Sequence, residues 1–237
     1  MVNYKILPNK IDLTIVFLLL ATIATLIFFN NTNIDLAFQS YFFDFTKKKW
    51  LIDKYEPVKK FFFYQLPKIF FAITLILTII IFSRNKNIEQ HSKLLVSILA
   101  MIFIPLIAAN IKKFTNVYCP NQLSIYDGDK PYIKILQPYP KDFFATKKGQ
   151  CFPAGHVVTG FAFYIFAIFL SNYWQKIIYF IFITCFSWLL GLYQIAKGVH
   201  FLSDTVIANM ICLLLTLLAI KIQQKYAKQN RYKNIFA

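Results

Sequence analysis

Two of the three histidines in this 237-residue chain lie where an ionisable side chain is costly. His156 and His200 each stand at the start of a long apolar stretch, and both starts fall on the same side of a membrane that these stretches would cross. Such groups need a partner or an aqueous cavity, so both are candidates for function. His91 lies in the short polar segment 84–93, where we expect a solvated loop residue.

Asp204 follows His200 at a distance of four residues. If a helix begins here, the two side chains share one face. A carboxylate bonded to one ring nitrogen fixes the tautomer of the imidazole and leaves the other nitrogen free to attack or to accept a proton. A polar cluster that caps the helix would show the same spacing, so the pair alone leaves both interpretations open.

The segment that ends at His156 reads Pro-Ala-Gly-His. Proline fits helix entry, and Gly155 lets the backbone approach a ligand closely. Free N–H groups and the dipole at a helix start favour an anion such as phosphate. The alternative is a structural turn with an interfacial histidine. Lys112 ends another apolar stretch on the same side, where a lysine is most often an anchor that reaches the interface.

The composition and the apolar stretches indicate which helices must position these residues. Hydrophobic residues make up 58% of the chain and charged residues 15%, and the mean hydropathy is +0.53. These values exclude a disordered chain, a collagen-like chain and a disulfide scaffold, and they argue against an ordinary soluble domain. A membrane-spanning helix needs roughly 17–25 apolar residues. Six stretches qualify: 13–29, 66–83, 94–111, 154–171, 177–193 and 201–220.

We therefore predict an all-α fold, a polytopic membrane bundle of six transmembrane helices. Basic and aromatic residues alternate in the first long loop, 30–65, and predict short helices on the membrane surface. Lys68, near the start of the second span, is expected to extend to the interface. Residues 1–237 form a single domain in this interpretation, with the motifs between 112 and 204 and a polar tail at 221–237.

The positive charge is distributed over both sides of this bundle. Lysine and arginine number 26 against 10 acidic residues, a net charge of +16. Eleven of the basic residues lie on the side of the termini and 15 on the side of the histidines. The short segments 84–93 and 221–237 are rich in lysine and arginine and favour cytoplasmic termini. The excess on the other side fits an anionic substrate, and its spread over several loops argues against nucleic-acid binding.

Three ordered motifs together carry a family resemblance. Lys112 with a proline eight residues later, Pro-Ala-Gly-His ending at His156, and His200-x3-Asp204 resemble the type 2 phosphatidic acid phosphatase family of membrane lipid phosphatases. The family pattern is Lys-x6-Arg-Pro, Pro-Ser-Gly-His and Ser-Arg-x5-His-x3-Asp. The resemblance covers roughly residues 94–210.

The chain departs from this pattern at the two arginines that bind the phosphate. Cys119 and Gln194 occupy their positions, and Ala154 replaces the serine of the second motif. Arginine offers a fork of donors matched to phosphate oxygens, which an amide or a thiol does not. Lys197 lies one helical turn from Gln194 if the fifth span continues through it, so it is the best replacement among the lysines of this side.

The resemblance implies a metal-independent phosphatase without a cofactor, in a bacterial inner membrane, with cytoplasmic termini and a periplasmic active site. His200 would attack phosphorus, Asp204 would orient it, and His156 would protonate the leaving group. Four further residues would bind the phosphate: Lys112, Gly155, Lys197 and Gln194.

The implied substrate is a lipid phosphate or pyrophosphate, and no protein partner is required. Lipid A, an isoprenyl pyrophosphate, phosphatidylglycerol phosphate and phosphatidate all fit. Because the arginines are missing, a degenerate family member that binds or moves an anionic lipid is the alternative. A structural or transport protein with accidental motifs is a third, but it does not explain the order of the motifs.

Four cysteines remain to be placed. Cys185 and Cys212 lie inside predicted spans and are expected to pack there. Cys119 and Cys151 lie at the two ends of the loop 112–153, near the predicted site. A disulfide between them would tie the Lys112 segment to the Pro-Ala-Gly-His turn and would require an oxidising compartment. Two free thiols are the alternative, since the sequence does not show the geometry.

Overall fold

The computed structural model describes residues 10–53, 55–144 and 147–235. This part of the chain forms seven helices and one short antiparallel hairpin, β1 (Phe43–Asp44) and β2 (Lys49–Trp50). The all-α prediction is confirmed. The helices are α1 (Lys10–Asn31), α2 (Ile34–Ser40), α3 (Pro57–Arg84), α4 (Ile88–Thr115), α5 (Gly155–Phe169), α6 (Tyr173–Ala196) and α7 (Leu202–Ile235).

Five of the described helices, α1, α3, α4, α6 and α7, are long and apolar enough to cross a membrane. The fourth predicted span, 154–171, is shorter in the structure and irregular. Helix α5 is α-helical from Gly155 to Phe161 and 3₁₀-helical from Ala162 to Phe169. Because a 3₁₀-helix rises about 2.0 Å per residue against 1.5 Å, these residues still extend about 26 Å, close to a hydrocarbon thickness of roughly 30 Å. Most of α5 is buried among the other helices.

Helix α3 begins at Pro57, nine residues before the predicted second span. The sequence predicts short surface helices in the loop 30–65, and residues 57–65 are helical, but they continue directly into the second span. Proline is favourable at a helix start, and the aromatic residues that follow continue the helix. Pro67 lacks the N–H that would bond to the carbonyl of Phe63, and the preceding turn, Phe61–Gln65, is π-helical.

The start of α4 differs from the sequence prediction in a similar way. The side-chain oxygen of Asn87 accepts hydrogen bonds from the N–H groups of Glu89 and Gln90, so the helix begins at Ile88. His91 is therefore not a loop residue. It lies in the first turn of α4, and its ring centroid is 3.9 Å from that of Phe82.

The two ends of the bundle are defined by contacts between helices. At one end, Lys221 forms an ion pair of 2.5 Å with Asp12, and Gln223 donates a hydrogen bond to Ser92. At the other end, which we call the site end, the N–H of Ala154 donates to the carbonyl of Asp204 at 3.0 Å. The first and last described helices thus have their outer ends together, opposite both motif histidines.

The connections at the site end pack over the link between α6 and α7. Gln39 of α2 donates to the carbonyl of Ile195, and the N–H of Ile52 donates to that of Ala196. Asp35 of α2 accepts hydrogen bonds from the backbone N–H and the hydroxyl of Ser203. A cluster of aromatic rings covers the same region, formed by Phe43, Tyr118, Tyr126 and Phe201 with Trp50 and Tyr132. The first loop therefore holds the segment that carries His200.

Candidate active site

The link between α6 and α7, residues 197–201, brings Lys197 and His200 into the site. Its turn depends on Gly198, whose φ of +72° lies in the left-handed region that favours glycine. A Cβ atom at Gly198 would collide with the indole of Trp50. The N–H of Val199 donates to the carbonyl of Gln194, which closes the turn after α6.

His200 and Asp204 form a buried pair. Nδ1 of His200 is 3.1 Å from Oδ2 of Asp204, which also accepts the backbone N–H of Phe201 at 2.9 Å. Each of the two side chains is 1% exposed, and Nε2 of His200 has no hydrogen-bond partner among the described residues. The proton therefore belongs on Nδ1, and Nε2 carries the free lone pair.

The charge state of His200 suits a nucleophile. Burial and the nearby ammonium groups of Lys112 and Lys197 hold its pKa well below the usual range of histidine. The imidazole is therefore neutral near pH 7, the form in which a ring nitrogen can attack an electrophile.

His156 lies next to this pair at the start of α5. Its ring centroid is 5.8 Å from that of His200, and its buried Nδ1 has no hydrogen-bond partner in the described part of the chain. The ring of Tyr64, from α3, packs against the ring of His156 with a centroid distance of 4.6 Å. The two motif histidines, far apart in the sequence, thus lie next to each other in the fold.

Lys112, near the end of α4, extends to the start of α5 next to His156. Its Nζ donates to the carbonyl of Gln150 at 3.3 Å. A Cβ atom at Gly155 would lie 3.0 Å from Cε and 3.1 Å from Nζ of Lys112, a tight contact that would require the lysine side chain to shift. The predicted Lys112 and Gly155 are therefore in contact.

Lys197 and Gln194 lie at the end of α6. Lys197 is only 7% exposed, and its pKa is lowered to about 8 by burial and by the nearby Lys60 and Lys68. Gln194 is fully buried, and neither polar atom of its amide has a partner among the described residues. Unpaired buried polar atoms are rare in proteins. The unpaired atoms of His156, His200 and Gln194 are therefore candidates for contact with a polar ligand.

Tyr64 and Lys68 also lie in this region, although the sequence did not predict them as site residues. Nζ of Lys68 is 3.8 Å from the centroid of the Tyr64 ring, and Nζ of Lys197 is 5.4 Å from it. Lys68 had been assigned to the interface as an anchor. The four-residue spacing from Tyr64 to Lys68 would have been the one available signal, since it places both on one helix face.

A disulfide joins Cys119 to Cys151, whereas Cys185 and Cys212 are free. Sγ of Cys151 lies 3.4 Å from Nδ1 of His200. Cys151, His200 and Asp204 bring possible metal-ligand atoms within 4.8 Å of one another. A disulfide sulfur is not the thiolate that binds metals, and the histidine and the carboxylate are bonded to each other. These residues therefore do not fit a metal ion in the disulfide form.

The comparison with known families agrees with this geometry. A family model described as the PAP2 superfamily matches residues 92–228, more than half of the chain. The match runs from the first turns of α4 into α7 and includes Lys112, His156 and His200. No curated protein and no solved structure gives a significant match.

Proposed function

The chain belongs to the PAP2 superfamily, and we propose that it is a membrane-bound lipid phosphatase that hydrolyses a phosphate monoester or pyrophosphate through a phosphohistidine. One observation carries the proposal. Nε2 of His200 is buried without a partner beside His156, while Asp204 holds Nδ1. This is the arrangement of a nucleophile with its orienting carboxylate.

In the first step, Nε2 of His200 attacks phosphorus, and the bond from phosphorus to the leaving oxygen breaks. His156 gives its proton to that oxygen, so a lipid alcohol or a lipid phosphate departs. The anionic substrate favours the protonated form of His156. The lysines around the site stabilise the charge on the transferring group, since phosphoryl transfer depends on positioning and electrostatics.

In the second step, water attacks the phosphohistidine. His156, now neutral, takes a proton from the water, the phosphorus–nitrogen bond breaks, and inorganic phosphate leaves. Asp204 stabilises the imidazolium of His200 in both steps through the contact of 3.1 Å. The scheme needs no metal, no cofactor and no protein partner.

An apolar groove supports a lipid as the substrate. It has a volume of about 570 Å³ and lies between α3, α5 and α6. Phenylalanines form most of its wall: Phe62, Phe70, Phe163, Phe166, Phe182 and Phe186. Phe62 and Leu66 belong to the same part of α3 as Tyr64 but lie on a different face, because residues two apart in a helix do not face each other. The groove is therefore at the level of Tyr64 along α3. A hydrocarbon chain would bury its surface there while its phosphate lies near His156.

We further propose that the site end faces the periplasm of a bacterial inner membrane and that the termini are cytoplasmic. The disulfide between Cys119 and Cys151 lies at the site end and supports this orientation, because disulfides persist in the periplasm and are rare in the cytosol. The opposite end carries the basic tail after residue 221, as cytoplasmic segments do.

The test is phosphate release by the purified protein from four lipids: the lipid A phosphate, an isoprenyl pyrophosphate, phosphatidylglycerol phosphate and phosphatidate. We expect release from at least one, and its loss in His200→Ala. His91→Ala is the matched control, because His91 lies at the opposite end against Phe82. Equal activity of the wild type and His200→Ala would refute the assignment of the nucleophile.

The second candidate is a protein that binds or moves an anionic lipid without hydrolysis. It is favoured by Cys119 and Gln194, which stand where the family pattern has arginines. It predicts no phosphate release from any of the four lipids and equal lipid binding by the wild type and His200→Ala. The same set of measurements therefore separates the two functions.

A further inference from the structure

Two ammonium groups and the ring of His156 lie around the ring of Tyr64. Nζ of Lys68 is 3.8 Å from the ring centroid and Nζ of Lys197 is 5.4 Å from it. The ring of His156 is 4.6 Å from the same centroid. Lys68, which no motif of the sequence includes, is therefore an exposed residue in contact with the same ring as His156.

The backbone of α3 produces this arrangement. Tyr64 lies in the π-helical turn Phe61–Gln65, a type of distortion that is frequent at functional sites. Phe63, in the same turn, stacks on Tyr193 of α6 with a centroid distance of 4.9 Å. This stacking fixes α3 against the end of α6 next to Lys197, and Lys68 follows Tyr64 by one helical turn.

The charges around Tyr64 are not balanced. Within the described ranges 10–53, 55–144 and 147–228, no carboxylate forms an ion pair with Lys68 or Lys197. Lys60 lies near Lys197 as well, and burial together with these neighbours lowers the pKa of Lys197 to about 8. Lys197 is buried whereas Lys68 is exposed, and a buried ammonium close to like charges is costly unless an anion lies near it.

We propose that Lys68 is a phosphate-binding residue and that it forms, with Lys197, the cationic pair that replaces the two missing arginines. The inference rests on the proposed function for the identity of the anion. Lys112 lies beside Gly155, and the pair lies at Tyr64, which packs against His156, so ammonium groups from three parts of the chain lie near His156. The phosphate would be held between Lys112 from α4 and the pair from α3 and α6.

The tyrosine ring has a positioning role in this arrangement. An ammonium over an aromatic face is attracted by the ring quadrupole. Tyr64 therefore directs Lys68 toward the site instead of toward the interface. Lysine is flexible and binds phosphate as a point charge, whereas arginine binds it as a rigid fork. Lys68 lies over the Tyr64 ring, and Lys197 lies near the rings of both Tyr64 and Tyr193. Two lysines oriented by these rings supply the direction that a single lysine lacks.

The experiment compares Lys68→Met with Lys59→Met. Methionine keeps most of the apolar stem and removes only the charge. Lys59 belongs to the same helix but is paired with Glu56 at 2.7 Å, so it is the matched control. We expect kcat/KM for the preferred lipid phosphate to fall about 10- to 100-fold in Lys68→Met, the usual effect of losing a hydrogen bond to a charged group. Lys68→Arg should recover activity, and Lys59→Met should equal the wild type.

A binding measurement separates this inference from the proposed function. Orthovanadate, a phosphate analogue, is titrated against each variant, and its affinity is read from protection against thermal unfolding. We expect the affinity to fall about 10- to 100-fold in Lys68→Met. If the wild type binds vanadate through Lys68 but releases no phosphate, the proposed function fails and the inference stands. If vanadate affinity and kcat/KM in Lys68→Met lie within twofold of the wild type, the inference fails alone. A wild type that does not bind vanadate overturns it as well.

Discussion

Replacing Asp204 with asparagine removes the charge from the carboxylate that contacts His200 and keeps the shape of the side chain. Oδ2 of Asp204 accepts the N–H of Phe201 at 2.9 Å and contacts Nδ1 of His200 at 3.1 Å. An asparagine oxygen can keep both contacts. Asp204→Asn therefore measures what the negative charge contributes, separately from the position of the imidazole.

The expected effect follows from the distance. In the proposed first step, the bond from Nε2 of His200 to phosphorus makes the imidazole cationic. Two unit charges 3.1 Å apart attract each other by about 5 kcal/mol at an effective dielectric constant of about 20. If most of this attraction develops in the transition state, kcat falls about 10³- to 10⁴-fold. The KM should change little, because Asp204 touches His200 and not the phosphate.

The assay is steady-state phosphate release, with the thermal stability of each variant measured in parallel. Asp35→Asn is the matched control. Asp35 is also a buried carboxylate, but it accepts hydrogen bonds from Ser203 and does not contact His200. Its asparagine variant should keep kcat within about threefold of the wild type, since an amide oxygen still accepts the Ser203 N–H. A kcat for Asp204→Asn within tenfold of the wild type would contradict the role of its charge.

Two further predictions concern the link between α6 and α7. The pKa of Lys197 is lowered to about 8, so its ammonium is present below that pH and is lost as the pH rises through it. We therefore expect kcat/KM to decline above about pH 8 in the wild type, and only at higher pH in Lys197→Arg. Identical pH profiles of the two proteins would exclude Lys197 as the titrating group. Gly198→Ala should destabilise the protein by about 2–5 kcal/mol, because alanine is strained at positive φ and its Cβ meets Trp50. Thermal unfolding measures this, and adding Trp50→Ala should recover part of the stability; no recovery would show that the collision is not the cause.

Parts of the site could be predicted because they are local in the chain. His200 and Asp204 are four residues apart, and any helix beginning near them brings the two side chains to one face. The Pro-Ala-Gly-His segment likewise contains its own helix start. Lys197 was predicted as the replacement cation from its spacing to Gln194, and the structure places its ammonium group near Tyr64 and Tyr193.

Other parts could not be predicted because they depend on distant segments. The lysine at the start of the second span has the sequence of an ordinary anchor, and only the packing of α3 against α6 places it near His156. The π-helical turn that orients Tyr64 has no clear sequence pattern. The irregular fourth span is a similar case, since hydropathy gives the extent of an apolar stretch but not whether it forms an α-helix or a 3₁₀-helix.

By itself, the sequence determined an all-α membrane bundle, its family and the pair of histidines, because hydropathy, helical spacing and short motifs are relations between neighbouring residues. Only the tertiary structure decided that Lys112 touches Gly155, that Cys119 is joined to Cys151, and that Lys68 shares an aromatic ring with Lys197. The physical reason is that close approach of side chains from different helices is fixed by how the helices pack, and no local pattern encodes it.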